Sequence, residues 1–303
     1  MFDSDFVSPI SSLKRILPEN SDVILDLKRD DLIHPFISGN KWRKLKYIIE
    51  DAKKTGKKAL VTFGGAWSNH LLATACAGAV FNFKTFGIVR GEEEIQNPIL
   101  SLCKLYGMEI FQVSRSTYRD KNQAREDFFN SYKNKTDALL QDDFYTIPEG
   151  GAHPLALKGC SEIIDELPQK YDHIFCACGT ATTLSGLIIG VQNNHLETHT
   201  QLHGIPVLSG VDYLKEEIEN RVPNAQYNWH PQYHFGGYAK TTEELMNFIQ
   251  SFSSRTGILI EPIYTGKMMY GVLDLIKNAY FKPESKILLL HTGGLTGLLG
   301  KNV

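Results

Sequence analysis

The sequence predicts an α/β protein built on a mostly parallel sheet with helices on both faces. Two observations carry this. Along the 303 residues, short apolar runs recur, each followed by a turn and then by a run with helical periodicity. Strands that alternate with helices in this way form parallel sheets. The composition, 42% hydrophobic and 22% charged, is that of a globular chain. Its length allows a sizeable core in two domains or one large one.

The elements follow in order. DVILDLKRD (22–30) is a short strand ending in charge. NKWRKLKYIIEDAKK opens on Asn40, a residue suited to capping, and spaces Trp42, Leu45, Ile48, Ile49 and Ala52 as one helical face. KALVTF (58–63) is a strand, the two glycines after it a turn, and SNHLLATACAGAV a helix capped by Ser68. FKTFGIVR is a strand, and Asn97-Pro98 opens a helix. MEIFQV and FYTIP are strands on either side of a polar helix from Tyr118 to Lys133. Pro154 opens a further helix, HIFCACG (173–179) reads as a buried strand, and TTLSGLIIGVQ as a helix. Beyond this the pattern is less regular. IPVLSGVD and GILIEPIY read as strands, helices fall at 241–255 and 266–280, and the strand KILLL leads into HTGG.

Several function classes are disfavoured. A net charge of −2 without a basic stripe gives no footprint for nucleic acid. No apolar stretch approaches the ~20 residues that span a bilayer, and the opening MFDSDFVSPISSLKRILPEN lacks the basic start and apolar run of a signal peptide. Five scattered cysteines do not suggest a disulfide framework, and Cys176 and Cys178 on one strand face read as buried thiols. A cytoplasmic protein is expected.

In parallel sheets ligands bind at the carboxyl ends of the strands, and four loops there carry chemistry. In SGNK (38–41), Lys41 stands at a helix N-terminus, where the dipole favours negative charge. It is either a solvated surface cation or a partly desolvated lysine of the kind that forms Schiff bases. GGAWSNH (64–70) offers Ser68 and Asn69, either as caps or as a hydroxyl and an amide beside helix-terminal amides that suit a carboxylate. CGTATTLSG (178–186) joins strand to helix through small residues. Gly179, Thr180, Ala181, Thr182 and Thr183 form an anion nest sized for one phosphate, without the pattern of a P-loop. HTGGLTGLLG (291–300) places Thr292 just past a strand end. A reactive lysine, a carboxylate loop, a monophosphate nest and a strand-end hydroxyl together match pyridoxal 5′-phosphate (PLP), an aldehyde with one phosphate that processes amino acids.

These motifs, with KRDD (28–31), IPEGGAHPLALKGCSEI (147–163), GGYAK (236–240) and GILIEPIYTGKMMYGVLDLI (257–276), run in one order along nearly the whole chain. In that order the chain resembles the D-cysteine desulfhydrase and 1-aminocyclopropane-1-carboxylate (ACC) deaminase family, among the tryptophan synthase β-subunit-like, fold type II PLP enzymes. The resemblance implies two open, twisted, mostly parallel sheets in a large PLP-binding domain (1–44 and 150–303) and a small domain (45–149) that closes over the active site. It implies a homodimer. It makes Lys41 the lysine that binds the cofactor aldehyde, and Asn69 the partner of the cofactor's 3′ oxygen. Ser68 becomes the binder of the substrate carboxylate and a candidate nucleophile. Gly179 to Thr183 become the phosphate cup, Tyr238 and Tyr264 the active-site tyrosines, and Thr292 the hydroxyl at the pyridine nitrogen.

Two positions separate the branches. Thr265 follows the tyrosine where ACC deaminases resemble one another in carrying an acid, and His70 stands where they have glutamine and desulfhydrases histidine. A neutral partner leaves the pyridine nitrogen unprotonated and the electron sink weaker. That suits β-elimination, in which electrons depart with the leaving group. The implied reaction is α,β-elimination of D-cysteine to pyruvate, sulfide and ammonia. The alternatives are ACC deamination to 2-oxobutyrate, elimination from another amino acid such as D-serine, and a PLP-binding carrier or sensor with little lyase activity. Two departures bear on this choice: Ala181-Thr182 replaces a more glycine-rich cup, and Trp67 is bulky enough to narrow a substrate site. His34, His153, His230, His234 and His291 read as ordinary polar positions. His195, His199 and His203 recur every four residues across an expected helix end and loop, and no metal is assigned to them. Glu92-Glu93-Glu94 reads as a solvated turn, and Met268-Met269-Tyr270 as helix core and active-site wall.

Overall fold

The computed structural model describes residues 6–91, 97–133 and 139–299. The expected turn at Glu92-Glu93-Glu94 lies outside them. The strands are β1 (Ile10–Ser12), β2 (Ile24–Lys28), β3 (Ala59–Gly65), β4 (Lys84–Arg90), β5 (Met108–Val113), β6 (Phe144–Ile147), β7 (His173–Cys178), β8 (Gln201–Pro206), β9 (Asn228–Trp229) and β10 (Lys286–Leu290). The helices are α1 (Asn40–Lys54), α2 (Asn69–Phe81), α3 (Pro98–Leu105), α4 (Arg115–Arg119), α5 (Lys121–Tyr132), α6 (Pro154–Asp165), α7 (Thr182–Asn193), α8 (Asp212–Arg221), α9 (Glu243–Thr256), α10 (Thr265–Lys277) and α11 (Thr296–Leu299).

Two compact units result. One spans Lys41–Ala156; the other runs up to Asn40 and resumes at Leu157. The resemblance places the boundaries at 1–44, 45–149 and 150–303; here the smaller unit begins at Lys41, at the head of α1, whose Leu45, Ile48, Ile49 and Ala52 are buried.

The larger unit holds the sheet β1-β2-β10-β7-β8-β9, parallel except for β1 against β2. Its strands are apolar on both faces, as a covered parallel sheet requires. Ile287 and Leu289 of β10 join Phe175 and Ala177 of β7 beneath α9 and α10. Leu288 and Leu290 join Ile174, Cys176 and Cys178 beneath α7 and α8. The two thiols are thus buried on one face, 3.9 Å apart. The smaller unit holds the parallel sheet β5-β4-β3-β6. One face packs Val61, Phe63, Phe86 and Ile88 against Phe128 and Tyr132 of α5. Phe86 meets Tyr132 edge-on at 5.0 Å, a favoured geometry for aromatic pairs.

The caps explain where helices begin. Asn97 accepts from Leu100 N–H at 2.9 Å with Pro98 in the first turn, and Thr242 accepts from Leu245 N–H at 3.2 Å. The polar helix expected from Tyr118 breaks at Asp120, whose carboxylate caps α5 through Asn122 and Gln123.

Three readings are corrected. IPVLSGVD contains only the end of a strand: β8 begins at Gln201, so His203 lies on a buried strand and not in a loop. GILIEPIY forms no strand, because Glu261 draws the chain into a turn. Asn40 is the first residue of α1, and its side chain bonds elsewhere, as described below. Among the described residues no helix is long and apolar enough to cross a membrane.

Candidate active site

In the larger unit three of the four loops interlock. Asn40 N–H donates to Thr292 O at 3.1 Å, and Asn40 Nδ2 donates to Thr183 Oγ1 at 3.1 Å. Gly39 permits this: a Cβ there would lie 1.8 Å from Thr292 O. The segment before Lys41 is therefore pinned to both HTGG and the threonine loop. His291, read as bland from the sequence, holds HTGG in shape. Its Nε2 donates to Leu259 O at 2.7 Å, which leaves Nδ1 to accept from Gly293 N–H at 3.2 Å. Burial pushes this imidazole below its usual range and keeps it neutral, as that pairing needs.

The threonine loop turns at Ala181 (φ 56°, ψ −10°), and α7 then starts without a side-chain cap. Thr180 and Thr182 place their hydroxyls 3.1 Å apart. Arg221 Nη1 anchors the loop by donating to Thr180 O at 2.8 Å. Tyr264 lies against its first residue, since a Cβ on Gly179 would be 2.8 Å from the ring. Three hydroxyls at the head of a twelve-residue helix, with an aromatic ring beside them, suit one phosphate on a flat ring. The donor set present fits PLP.

Tyr264 is placed by Glu261, a residue the sequence reading passed over. Its fully buried carboxylate accepts from the N–H groups of Ile263 (2.7 Å), Tyr264 (2.8 Å) and Thr265 (2.8 Å). Burial raises its pKa, and those same hydrogen bonds oppose the rise. Thr265 is buried too, its hydroxyl accepting from Glu261 N–H at 3.1 Å and donating to the carboxylate at 3.2 Å. The Tyr238 ring meets Tyr264 edge-on, 6.2 Å away.

The smaller unit brings together Lys41, Lys44, His70 and the loop before α2. Lys41 Nζ and Lys44 Nζ both donate to Gly150 O, at 3.3 and 3.2 Å. Two ammonium groups on one carbonyl repel each other. Lys44, one turn beyond Lys41 and buried, also went unremarked in the sequence. Thr62 Oγ1 donates to Ile147 O at 2.8 Å, so His70 Nε2, 2.8 Å away, must be the donor to Thr62. His70 is 2% exposed, and its Nδ1 has no hydrogen-bond partner among the described residues. Burial, then Lys41 and Lys44, hold its pKa well below the usual range. The ring is thus a neutral acceptor behind the loop and not on its surface.

Ser68 caps α2, accepting from the N–H groups of His70 (3.2 Å) and Leu71 (3.3 Å), which leaves its own proton to donate. Asn97 Nδ2 fixes the turn before it through Ala66 O at 3.1 Å. Trp67 is exposed and Asn69 half-buried.

A family model described as pyridoxal-phosphate dependent enzyme matches residues 4–293. A Thermotoga maritima protein named "Putative 1-aminocyclopropane-1-carboxylate deaminase" is 32% identical, over 97% of this chain and 96% of its own. An Arabidopsis thaliana mitochondrial protein, a bifunctional D-cysteine desulfhydrase/ACC deaminase by name, is 29% identical over 94% of this chain and 75% of its own. Among solved structures, an ACC deaminase homologue matches with a TM-score of 0.84 at 29% identity, over 97% of this chain and 91% of its own. An L-serine ammonia-lyase from Rhizomucor miehei shares the fold at a TM-score of 0.71 and 14% identity, over 95% and 94% of the two chains.

Proposed function

Because the chain belongs to the pyridoxal-phosphate dependent enzyme family, we propose that it eliminates sulfide from D-cysteine, giving pyruvate and ammonia. The observation that carries this choice is Thr265. The residue after Tyr264 brings a hydroxyl, and the nearby Glu261 carboxylate is committed to the amides of its own turn. No acid from this pair is free to protonate a pyridine nitrogen, and the weaker sink suits elimination.

When bound, PLP supplies the electron sink that allows an amino acid to lose its α-proton. Lys41 is the residue that would hold the aldehyde, and its Nζ, alone or with Tyr264, would take the α-proton of the substrate. Lys44, on the same carbonyl as Lys41, sets a second positive charge beside it. Thr180, Thr182 and Thr183 bind the phosphate on the turn formed by Gly179 and Ala181. Thr292 would face the ring nitrogen of the cofactor and Asn69 its 3′ oxygen. Ser68 donates its remaining proton to the substrate carboxylate, with Trp67 limiting the size of the side chain admitted and His70 supporting the loop from behind. Tyr238 accompanies Tyr264 at the departing sulfur. The aminoacrylate released takes up water to give pyruvate and ammonia.

The deciding experiment offers D-cysteine, L-cysteine, D-serine and ACC to the PLP-loaded protein and measures keto acid. Pyruvate from D-cysteine without 2-oxobutyrate from ACC is expected. The names of the relatives favour ACC deamination as a second reading, and 2-oxobutyrate from ACC would establish it. Cofactor absorbance with no product from the panel would mark a carrier. Lys41→Ala is expected to abolish turnover together with the absorbance of the lysine-bound cofactor; retained turnover would remove Lys41 from its role. We further take the protein to act in the cytoplasm as a homodimer, which light scattering of the purified protein tests.

A further inference from the structure

Tyr238 sits on a segment of unusual backbone. Phe235, Gly236, Gly237 and Ala239 have φ values of 50°, 82°, 111° and 56°. Two of these four carry side chains that disfavour the left-handed region, so the surroundings must hold the segment in place. Within it, Gly236 N–H donates to His234 Nδ1 at 2.8 Å, Gly237 N–H to His234 O at 3.0 Å and Lys240 N–H to Gly237 O at 3.1 Å.

The same two carbonyls receive a buried cation. Lys267, 0% exposed, donates from Nζ to His234 O at 2.9 Å and to Gly237 O at 2.7 Å. Lys267 lies in the first turn of α10, where the helix dipole disfavours a positive charge. Burying an ammonium is costly unless its donors are satisfied. Two convergent carbonyls provide that compensation, and they converge because the backbone between them is left-handed. The start of α10 therefore grips both tyrosines: Tyr264 through the Glu261 turn, and Tyr238 through Lys267.

We propose that Lys267 is a positioning residue, whose buried ammonium fixes the Tyr238 segment and so sets the Tyr238–Tyr264 pair for the elimination. This rests on the function proposed above. The proposed role runs through the two carbonyls that the amine holds.

The test uses Lys267→Met and Lys267→Ala in the PLP-loaded protein. Trypsin cleavage after the exposed Lys240, followed by peptide mass, should accelerate in both variants, while cofactor absorbance persists. Turnover should fall about 100-fold in kcat, the scale of a misplaced reacting group, with KM little changed. Ammonium or methylammonium should restore part of the Lys267→Ala rate by occupying the same carbonyls. Combined with Tyr238→Phe, Lys267→Met should add little further loss, since both changes act on one ring. Wild-type cleavage and kcat in both variants, or a double variant that loses the full product of the single effects, would overturn the proposal. Should neither variant fold, Lys267→Arg decides: its longer head must displace the segment, so faster cleavage and a lower kcat support the role, whereas wild-type values remove it. Wild-type protein without cofactor absorbance or keto-acid release would defeat the elimination reading instead. The cleavage measurement on cofactor-free protein would then still decide whether Lys267 holds the segment.

Discussion

Ala181 occupies a left-handed conformation, φ 56°, at the turn that begins α7. An alanine there bears a steric cost that glycine avoids, partly offset by the greater freedom glycine loses on folding. Ala181→Gly should therefore stabilise the protein by about 0.5–1 kcal/mol, read as a higher urea midpoint, and leave cofactor capture intact. A lower midpoint would mean that the buried methyl contributes more by packing than it costs in backbone strain. The altered cup that the sequence raised is thus a matter of one strained residue, with Arg221 holding the carbonyl before it. The loop motifs themselves were readable, since small residues, threonines and a lysine at strand–helix junctions announce ligand chemistry. Glu261, Lys44 and Lys267 were not. Their roles depend on which amides and carbonyls the fold brings to them, and nothing in their spacing encodes that.

Strands β7 and β8 and the residue after β9 carry a chain of imidazoles. His203 Nε2 lies 3.0 Å from His173 Nδ1, and His203 Nδ1 lies 3.0 Å from His230 Nε2. The His203 ring stacks on Phe175 at 4.1 Å. A neutral imidazole donates at one nitrogen and accepts at the other, so the chain runs in a single direction. Burial, and then the two flanking histidines, take the His203 pKa down to about 2. His203→Phe preserves the stack and removes both hydrogen bonds. A loss of about 1–3 kcal/mol is expected in urea unfolding, with keto-acid release unchanged. A neutral result would show that the two outer rings find other partners. The same residue explains why β8 was hard to read: a histidine and a glycine interrupt the apolar run that β7 and β10 keep after their first residue. GILIEPIY failed in the opposite sense. Its apolar run has the look of a strand, but Glu261 captures the amides that a ladder would have used.

Across the whole molecule seven histidines share one bias. His34, His70, His153, His173, His203, His230 and His291 are all held below their ordinary value, in each case with burial as the first cause. A group with a lowered folded pKa stays neutral in the native state while its unfolded counterpart takes a proton. The stability is therefore complete above about pH 6.5 and declines as pH falls through and below that value. The urea midpoint should drop between pH 7.5 and pH 5.5; a flat profile would mean that these rings titrate alike in both states. At pH 7.5, added PLP should raise the midpoint by mass action, by about 2.7 kcal/mol at a hundredfold excess over its Kd. A midpoint indifferent to PLP would contradict the family's cofactor chemistry in this chain.

The close approach of Gly39 to Thr292 also sets a timetable. All four strands of the smaller sheet lie between residues 59 and 147, so that sheet can form while later residues are still being translated. The larger sheet has to wait. Its early strand, β2, takes β10 as a neighbour, with Ile24 opposite Lys286, and the Gly39 backbone has no seat until HTGG emerges. Pairings this distant in sequence form slowly and leave apolar strands uncovered meanwhile. During synthesis the larger unit is therefore expected to be the more aggregation-prone half until β10 leaves the ribosome.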